Sequence, residues 1–292
     1  MTHPPASTPT PSEARAPRAK IHHGLTVRDV HVTAVGRVAP RMVRVTLGGA
    51  ELDGLVSLGP TDHVKVFFPD PGTGLLTAPE AAPAGTMRPP VGGTVHRRDY
   101  TVRAYRPDGI TGPELDLDLV LHGDGGPASA WAVRATEGDR LVLAGPKSSK
   151  LVPHDVTTVL LGCDETSLPA VARWLELLPE QVAVRVIAEV DSAEDEVYLR
   201  EDRVAARPGL EIIWLHRRGR PDLRGLLEAA VRDSPAADLV WCAGEAASLV
   251  GVRRFLRREL GLPAAHVELT GYWRRGVANF DHHTPLDPKD PD

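Results

Sequence analysis

The periodicity of the sequence changes near Pro153, and this change limits the folds that the chain can adopt. Before Pro153, short alternating or β-branched runs are separated by Gly, Pro and Asp, which predicts strands joined by turns. The run from Leu115 to Leu119 alternates leucine with aspartate, so one strand face is apolar and the other is polar. Six runs of this kind lie at 25–35, 42–47, 63–68, 100–105, 115–121 and 140–143. They predict a six-stranded antiparallel β-barrel with Greek key connections.

Beyond Pro153, short apolar runs alternate with segments that have helical spacing. Leu168, Val171, Leu175 and Leu178 recur at the spacing of one helix face. Strands are predicted at 157–161, 182–190, 211–215 and 238–243, and helices at 168–178, 222–231 and 245–260. Strands that alternate with helices indicate an α/β domain whose parallel sheet is covered by helices.

The length of 292 residues exceeds what one compact core commonly holds, so two domains are expected. We expect the barrel over 23–148 and the α/β domain over 154–271. Residues 1–22, rich in Pro, Ser, Thr and Ala, are expected to form a disordered tail. Residues 272–292 are expected to return toward the barrel before ending in disorder, and the Pro-, Gly- and Ala-rich stretch 69–96 to form a long surface loop.

Composition excludes several classes of protein. A formal net charge of −5 argues against a nucleic-acid binder that relies on bulk positive charge. No apolar run approaches the roughly 20 residues that span a bilayer, and the N-terminus lacks the apolar stretch of a secretory signal. Cys163 and Cys242 are the two cysteines and lie far apart, which excludes a four-thiolate iron–sulfur or zinc site. We therefore expect a cytoplasmic monomer without a nucleic-acid or membrane partner.

Arg98, Tyr100 and Thr101 open a predicted strand with groups suited to a flavin dinucleotide. An Arg can hold a phosphate by two parallel hydrogen bonds, and a Tyr two residues later projects from the same strand face and can contact a ring system. Thr101 offers a hydroxyl and backbone groups for the edge of a flavin. Taken alone, these residues also fit ordinary surface charge and core packing.

The segment from His122 to Trp131 follows a strand and is predicted to open a short helix. Its glycines let the backbone approach a ligand closely, and the N–H groups at a helix start favour a pyrophosphate. A Gly-rich hairpin is the alternative for the glycines alone. Together with Arg98 and Tyr100, the segment favours an FAD site.

One turn of the α/β domain, Gly162 to Ser167, lies where open parallel sheets bind ligands, outside the carboxyl end of a strand. It has no GxGxxG pattern, and its two carboxylates would repel a pyrophosphate if they pointed inward. Capping of the next helix by Asp164 or Thr166 is the alternative for those side chains.

Arg217, Arg218 and Arg220 follow another predicted strand. Clustered guanidinium groups suit a 2′-phosphate and would favour NADPH over NADH. A solvated charged loop is the alternative.

Seven strings of the sequence, in order between about residues 25 and 276, resemble the siderophore-interacting protein family of ferredoxin–NADP reductase-like flavoproteins. The strings are DHVKVFFP, RRDYTVR, LHGDGGPASAWA, GDRLVLAGPKSS, GCDETSLPA, WCAGE and GYWRRG. The resemblance implies an FAD-binding barrel, a C-terminal domain for NADPH or NADH, and reduction of a ferric siderophore in the bacterial cytoplasm. It also implies that residues 272–292 return toward the flavin and substrate site.

The resemblance assigns site residues to three groups. Those of the flavin side are Arg98, Tyr100, Thr101, Val102, His122, Gly123, Gly126, Pro127, Ala128, Ser129 and Trp131. Those of the nicotinamide side are Asp164, Glu165, Thr166, Arg217, Gly244 and Glu245, with Tyr272 and Trp273 either covering the flavin or packing the C-terminal segment on the barrel. Lys65, Arg274 and Arg275 would hold an anionic iron chelate.

The implied reaction passes a hydride from the nicotinamide to FAD and single electrons from FAD to Fe(III), so no catalytic residue is needed from the protein itself. The alternatives are another acceptor, a ferredoxin donor, or a non-catalytic protein that binds flavin and siderophore.

The pairs His22–His23 and His282–His283 lie in polar flanking segments with no carboxylate or thiol arranged around them. We therefore expect both pairs to be solvated and no metal site in the chain.

Overall fold

The computed structural model describes residues 16–82, 86–122, 126–200, 207–218 and 225–290. The strands and helix of the first half are β1 (Lys20–His22), β2 (Val27–Ala39), β3 (Met42–Gly48), β4 (His63–Phe68), β5 (Glu80–Ala82), β6 (Thr86–Arg88), β7 (His96–Thr101), β8 (Ala104–Gly109), β9 (Gly112–Val120), α1 (Pro127–Arg134), β10 (Arg140–Ala144) and β11 (Ser148–Lys150). Those of the second half are β12 (Thr158–Asp164), α2 (Leu168–Leu177), β13 (Ala183–Val190), α3 (Val197–Arg200), β14 (Leu210–His216), α4 (Leu226–Arg232), β15 (Leu239–Glu245), α5 (Ala246–Arg254) and β16 (Val267–Trp273).

The first half folds into a seven-stranded antiparallel sheet in the order β7-β4-β10-β2-β3-β9-β8. Alternate residues of these strands, among them Val45, Val64, Leu117 and Leu143, are buried in one apolar core. The two ends of the strand order, β7 and β8, are consecutive in the chain and are joined by Val102 and Arg103 alone. The sheet is therefore barrel-like, which confirms the predicted fold class.

The barrel has seven strands where six were predicted, because the predicted strand over 100–105 is two strands. The break lies at Val102 and Arg103, whose backbone N–H groups donate to the carbonyl oxygens of Asp62 (2.8 Å) and Asp116 (3.0 Å). These acceptors come from distant parts of the chain. The apolar pattern of residues 100–105 continues through the break, so the local sequence did not predict two separate strands.

The second half forms a five-stranded parallel sheet in the order β14-β13-β12-β15-β16, as the alternation of strands and helices predicted. Helix α2 buries Ala170, Val171 and Trp174 against this sheet. The predicted helix over 222–231 begins outside the described residues, and its described part is α4. The predicted helix over 245–260 is α5 followed by a π-helical turn at Phe255–Glu259.

Strand β16 was not predicted, because its sequence VELTGYW carries Glu268, Thr270 and Gly271 among its apolar residues. It is an edge strand that pairs in parallel with β15 alone. An edge strand needs less apolar surface than a central one, so its pattern is weak. The strand brings Tyr272 and Trp273 to the carboxyl edge of the sheet.

The expected disordered tail over 1–22 ends earlier in the structure. Lys20–His22 form β1 and pair with β11, and the Arg18 side chain donates to the carbonyl oxygens of Lys150 and Leu151, each at 2.6 Å. The Arg18 guanidinium also lies 4.3 Å from the Trp174 ring centroid. The residues just before the barrel are therefore fastened to the second domain.

The two domains share polar contacts at their joint. The Tyr198 hydroxyl donates to Asp118 Oδ2 at 2.6 Å, and Arg44 pairs with the same carboxylate at 2.8 Å. Arg41 pairs with Asp191 at 3.0 Å. Buried hydrogen-bonded charges of this kind fix the register of two packed surfaces.

The C-terminal end was expected to be disordered, and the structure instead places it against α5. Arg253 pairs with Asp290 at 2.7 Å, and Leu286 is buried in the core of the second domain. Among the described residues, no helix has the length and apolar character to cross a membrane.

Candidate functional site

Strand β7 carries the residues that were assigned to the flavin. The Tyr100 ring is partly buried and lies edge-on to Phe68, with 6.0 Å between ring centroids. Burial raises the pKa of the Tyr100 hydroxyl above its ordinary value, so this side chain stays neutral. Val102, by contrast, is 1% exposed in the barrel core. Its side chain is part of the core packing, while Tyr100 marks the accessible edge of the strand.

Arg98 and Thr101 join this strand to the second domain. The Arg98 guanidinium donates to Asn279 Oδ1 and, at 2.7 Å, to the carbonyl of Arg97. Burial raises the pKa of the Tyr272 hydroxyl, and Thr101, which lies near it, acts in the opposite direction. The segment after β16 thus lies against the strand that was assigned to the flavin.

Helix α1 begins beside this strand, as the sequence predicted for 122–131. Its N-cap is Gly126 and its first residue is Pro127, and no described side chain caps it. The Ser129 hydroxyl accepts from the His122 N–H at 3.1 Å and donates to the His122 carbonyl at 2.9 Å. Ser129 therefore ties the first turn of α1 to His122, and the first-turn N–H groups of the helix have no partner within the helix.

The other residues of this loop pack rather than point outward. Trp131 is 4% exposed and lies 5.3 Å from the Phe68 ring, and Ala128 is buried beside it. Gly123, which was assigned to the pyrophosphate, lies outside the described residues. The described part of this segment therefore offers a ligand backbone rather than side chains, with Arg98 on the neighbouring strand β7.

Asp164, at the carboxyl end of β12, accepts four hydrogen bonds from its own chain. Oδ1 accepts from the N–H and hydroxyl of Thr166 at 2.9 and 2.5 Å. Oδ2 accepts from the Glu245 N–H at 2.9 Å and from Trp273 Nε1 at 2.8 Å. The carboxylate, assigned to the nicotinamide side, thus ties together the carboxyl ends of β12, β15 and β16.

Gly244 makes room for this carboxylate. A Cβ at position 244 would lie 2.6 Å from Asp164 Oδ2, and the residue has a φ of +150°. The next residue, Glu245, uses its side chain to cap α5 by accepting from the Ser248 N–H at 2.8 Å, and it also accepts from the Arg275 N–H at 3.2 Å. The turn after β15 is therefore built around two carboxylates of the chain.

Arg217 was assigned to a 2′-phosphate, and the structure pairs its guanidinium with Glu165 and, at 3.5 Å, with Glu189. Burial raises the pKa of both carboxyls, and the guanidinium acts in the opposite direction. Arg218 pairs with Asp191 at 2.8 Å. Two of the three clustered arginines are thus occupied by acidic partners, and Arg220 lies outside the described residues.

The three basic residues assigned to the substrate lie in two places. Lys65 on β4 pairs with Asp99 at 2.6 Å and faces a cavity of about 530 Å³. Arg274 lies over the Phe280 ring, 5.8 Å from its centroid, and the Arg275 side chain is exposed. The structure therefore does not join all three into one pocket.

The cavity combines basic and apolar groups. It is lined by Lys65, Phe67, Met87, Pro89, Arg97 and Asn279, among others. Met87 and Pro89 belong to the 69–96 stretch that was expected to be a surface loop, and which contains the hairpin β5–β6. Arg97 and Asn279 were not predicted to line a site, since neither stands out in a local sequence pattern.

His282 differs from the solvated residue that was expected. Its Nδ1 lies 3.4 Å from Asp99 Oδ2, and its ring meets the His63 ring edge-on at 4.9 Å. Burial lowers the pKa of His63, with the nearby His282 acting in the same direction. Asp99, which is distant in sequence, therefore places a carboxylate beside His282 of the pair His282–His283.

The chain matches two domain families and several known proteins. Residues 31–150 match the siderophore-interacting FAD-binding domain, and residues 156–276 match the siderophore-interacting protein domain. The NADPH-dependent ferric-chelate reductase of Escherichia coli is 34% identical over 87% of this chain and 95% of that protein. Ferric vibriobactin reductase ViuB of Vibrio cholerae is 31% identical over 84% of this chain and 89% of that protein.

Solved structures agree with these matches. The structure of a siderophore utilization protein from T. fusca has a TM-score of 0.81 and 39% identity, covering 91% of this chain and 100% of that chain. The flavohem-like FAD/NAD-binding domain of a Vibrio cholerae nitric oxide dioxygenase shares the fold, with a TM-score of 0.58 and 15% identity over 84% of this chain and 98% of that one. The two matched domains cover most of the chain, and the chain therefore belongs to the siderophore-interacting protein family.

Proposed function

We propose that the chain is an FAD-dependent reductase that takes electrons from NADPH or NADH and reduces a ferric siderophore, releasing Fe(II). The observation that carries this proposal is the contact between β7 and the segment after β15. Arg98 on β7 donates to Asn279, and Thr101 on the same strand lies near enough to Tyr272 to act on the pKa of its hydroxyl. These contacts bring the carboxyl edge of the parallel sheet, where such sheets bind nucleotides, against the strand assigned to the flavin.

The residues beside β7 fit FAD. The uncapped start of α1 offers backbone N–H groups to a pyrophosphate, and the Arg98 guanidinium, whose Nη1 donates to Arg97 and Asn279, has Nε and Nη2 as further donors. Tyr100 presents a neutral ring to a flat ligand. When bound, the flavin supplies the conversion of a two-electron hydride into single-electron transfers.

The nicotinamide side rests on backbone rather than on side-chain charge. The carboxylates of Asp164 and Glu245 accept hydrogen bonds from donors of the same chain, and these bonds hold the carboxyl ends of the strands together. Thr166, whose hydroxyl is held by Asp164, opens the turn into α2. The name of the Escherichia coli relative, an NADPH-dependent reductase, supports NADPH as the donor.

The acceptor side rests on the cavity beside β4 and β7. Lys65 and Arg97 contribute two positive charges and Asp99 one negative charge, so the local balance suits an anionic chelate. Met87 and Pro89 give the cavity an apolar wall. Hard oxygen ligands hold Fe(III) far better than Fe(II), so reduction frees the metal without a protein ligand.

We place the reaction in the cytoplasm, because both cysteines of the chain are free and buried, as suits a reducing compartment. We also propose that the protein is a monomer. Arg98 and Asn279, which join the flavin strand to the segment after β16, belong to the same chain. Size-exclusion chromatography with light scattering tests this, and a dimer would contradict it.

An anaerobic stopped-flow experiment tests the proposed reaction. The purified protein should carry a yellow flavin, which NADPH or NADH should bleach and which a ferric siderophore should then re-oxidise. Bleaching without re-oxidation would contradict the acceptor, and a flavin that only reduced ferredoxin bleaches would contradict the donor. A colourless protein that ignores added FAD would overturn the whole proposal.

Two matched arginine variants test whether β7 takes part in binding FAD. Arg98→Ala should weaken FAD binding by about ten- to a hundredfold, since it removes a charge-assisted contact to phosphate. Arg134→Ala, at the exposed end of α1, should retain FAD as the unsubstituted protein does. Equal retention of FAD by both variants would contradict the role of Arg98.

A further inference from the structure

Asp281, His282 and His283 form a compact group of possible metal ligands. One carboxylate oxygen and one ring nitrogen from each histidine lie within 4.8 Å of one another. The two imidazole rings are 4.1 Å apart between centroids. Asp281 and His283 are exposed and His282 is partly buried, so an ion could reach the group from solvent.

A second carboxylate orients one of these histidines. Asp99 Oδ2 lies 3.4 Å from His282 Nδ1, which leaves the other ring nitrogen, Nε2, to face away from Asp99. Histidines that bind metals almost always direct their second ring nitrogen to a carboxylate, carbonyl or water, which fixes the ring and raises its basicity. Asp99 supplies that partner from a different part of the chain.

The group is held in place by contacts on both sides. Two residues before it, Asn279 accepts from Arg98. Within it, the Asp281 carboxylate accepts from the His283 N–H at 2.9 Å, and the Asp281 carbonyl accepts from the Thr284 N–H at 2.9 Å. This turn brings the side chains together before any ligand binds.

The donor atoms of the group suit a transition metal. Lys65 pairs with Asp99 at 2.6 Å, and Arg98 donates to Asn279 nearby, so the attraction for a cation comes from the Asp281 carboxylate and the two imidazoles rather than from a local excess of negative charge. Two imidazoles and one carboxylate form the donor set that open non-haem Fe(II) sites use, and Zn(II) and Co(II) accept the same donors.

We propose that Asp281, His282 and His283 form an exchangeable site for a divalent transition metal of the Fe(II) class, with Asp99 orienting His282. The site lies beside β7, because His282 contacts Asp99, which stands between Arg98 and Tyr100 on that strand. Its role as the place that receives Fe(II) leaving the reduced chelate rests on the proposed function, whereas metal binding itself does not. Three protein ligands leave coordination positions open, so the ion can leave again.

Anaerobic titration of the untagged full-length protein with Co(II), followed by its visible d–d absorption, tests the site. We expect one Co(II) per chain and displacement of that Co(II) by Fe(II) in large excess, because Fe(II) binds a given site of this kind less tightly than Co(II). His283→Ala removes an exposed ligand and should weaken Co(II) binding at least about tenfold, and Asp99→Asn should weaken it about ten- to a hundredfold. His154→Ala, an exposed histidine outside the group, should bind Co(II) as the unsubstituted protein does.

Absence of Co(II) binding, or equal affinity in His283→Ala and the unsubstituted protein, would overturn the site. Failure of Fe(II) in large excess to displace Co(II) would overturn its assignment to the Fe(II) class. The titration uses no electron donor and no siderophore. A protein that binds Co(II) but does not reduce a ferric siderophore would therefore contradict the proposed function and leave the metal site standing.

Discussion

The indole Nε1 of Trp273 donates to Asp164 Oδ2 at 2.8 Å, which joins the last strand of the parallel sheet to its central strand across 109 positions of the chain. Asp164 is 8% exposed, while Trp273 is 36% exposed. Trp273→Phe keeps an aromatic ring and removes this donor. A hydrogen bond to a charged group contributes about 1.5–3 kcal/mol, and partial exposure should reduce the loss to about 1 kcal/mol.

Urea unfolding followed by circular dichroism measures this loss. Asp164 keeps three other donors in Trp273→Phe, so the fold should persist and only the midpoint should fall. An unchanged midpoint would show that the indole contact contributes nothing to stability.

Gly244→Ala should destabilise the protein more than its small change in volume suggests. The added Cβ would lie 2.6 Å from Asp164 Oδ2, and the φ of +150° is one that residues with a Cβ rarely adopt. The carboxylate would have to move away from the donors of Thr166 and Trp273. We expect a loss of about 1–3 kcal/mol in the free energy of unfolding.

Gly36→Ala is the matched control, because a Cβ at position 36 meets no atom within 4 Å. Its effect should stay within about 0.5 kcal/mol. If both variants unfold at the same urea concentration, the close approach of Asp164 to Gly244 does not limit this turn.

The turn around Asp164 shows how far local sequence can predict a site. The hydrogen bonds from Asp164 to Thr166 span two residues, and capping by this pair was among the sequence-based alternatives. The bonds to Glu245 and Trp273 span 81 and 109 residues, and they depend on β16 adding to the sheet edge. Since β16 has a weak apolar pattern, its position depends on pairing with β15, and no local signal predicts such pairing.

The barrel also has some features that local sequence predicts and others that depend on contacts between distant residues. The strand His63–Phe68 was predicted with the bounds that the structure has, because its alternation is strong and local. The break at Val102 depends on the carbonyl of Asp62, and the position of His282 depends on Asp99. Contacts between residues far apart in sequence, rather than local propensity, decide these features.

Arg217→Ala should act on stability more than on nucleotide preference. It leaves Glu165 and Glu189 partly buried without their shared counter-ion. The pKa of both carboxyls is already raised by burial above the ordinary value of 4.5. A carboxyl with a raised folded-state pKa binds more protons when folded, so the stability of the variant should fall as pH rises from about 5 to 8.

We expect a loss of about 2 kcal/mol or more at pH 8, measured by urea unfolding, and a smaller loss at pH 5. Arg218→Ala, whose side chain is 61% exposed, is the control and should change little. The ratio of kcat/KM for NADPH to that for NADH should stay the same in Arg217→Ala. A fall in that ratio at unchanged stability would instead support a role for Arg217 at the 2′-phosphate.

Asp116→Asn should reduce the acid sensitivity of the barrel while lowering its stability at neutral pH. Asp116 is 5% exposed and accepts two hydrogen bonds from Arg106, at 2.6 and 2.9 Å, and one from Thr46 at 2.8 Å. Burial acts to raise the pKa of this carboxyl, but these hydrogen bonds and the Arg106 charge outweigh it and lower the pKa below 3.8. The native state therefore favours the ionised form.

A carboxyl with a lowered folded-state pKa stabilises the protein above its unfolded-state pKa, and this contribution disappears as pH falls through the folded-state value. Asp116→Asn should thus lose about 2 kcal/mol at pH 7 and progressively less as pH falls from about 5 toward 3. Asp108→Asn, an exposed carboxylate on the adjacent strand β8, should follow the unsubstituted protein throughout. Urea midpoints measured at each pH decide the outcome: a constant difference between Asp116→Asn and the unsubstituted protein would mean that Asp116 titrates alike in the folded and unfolded states.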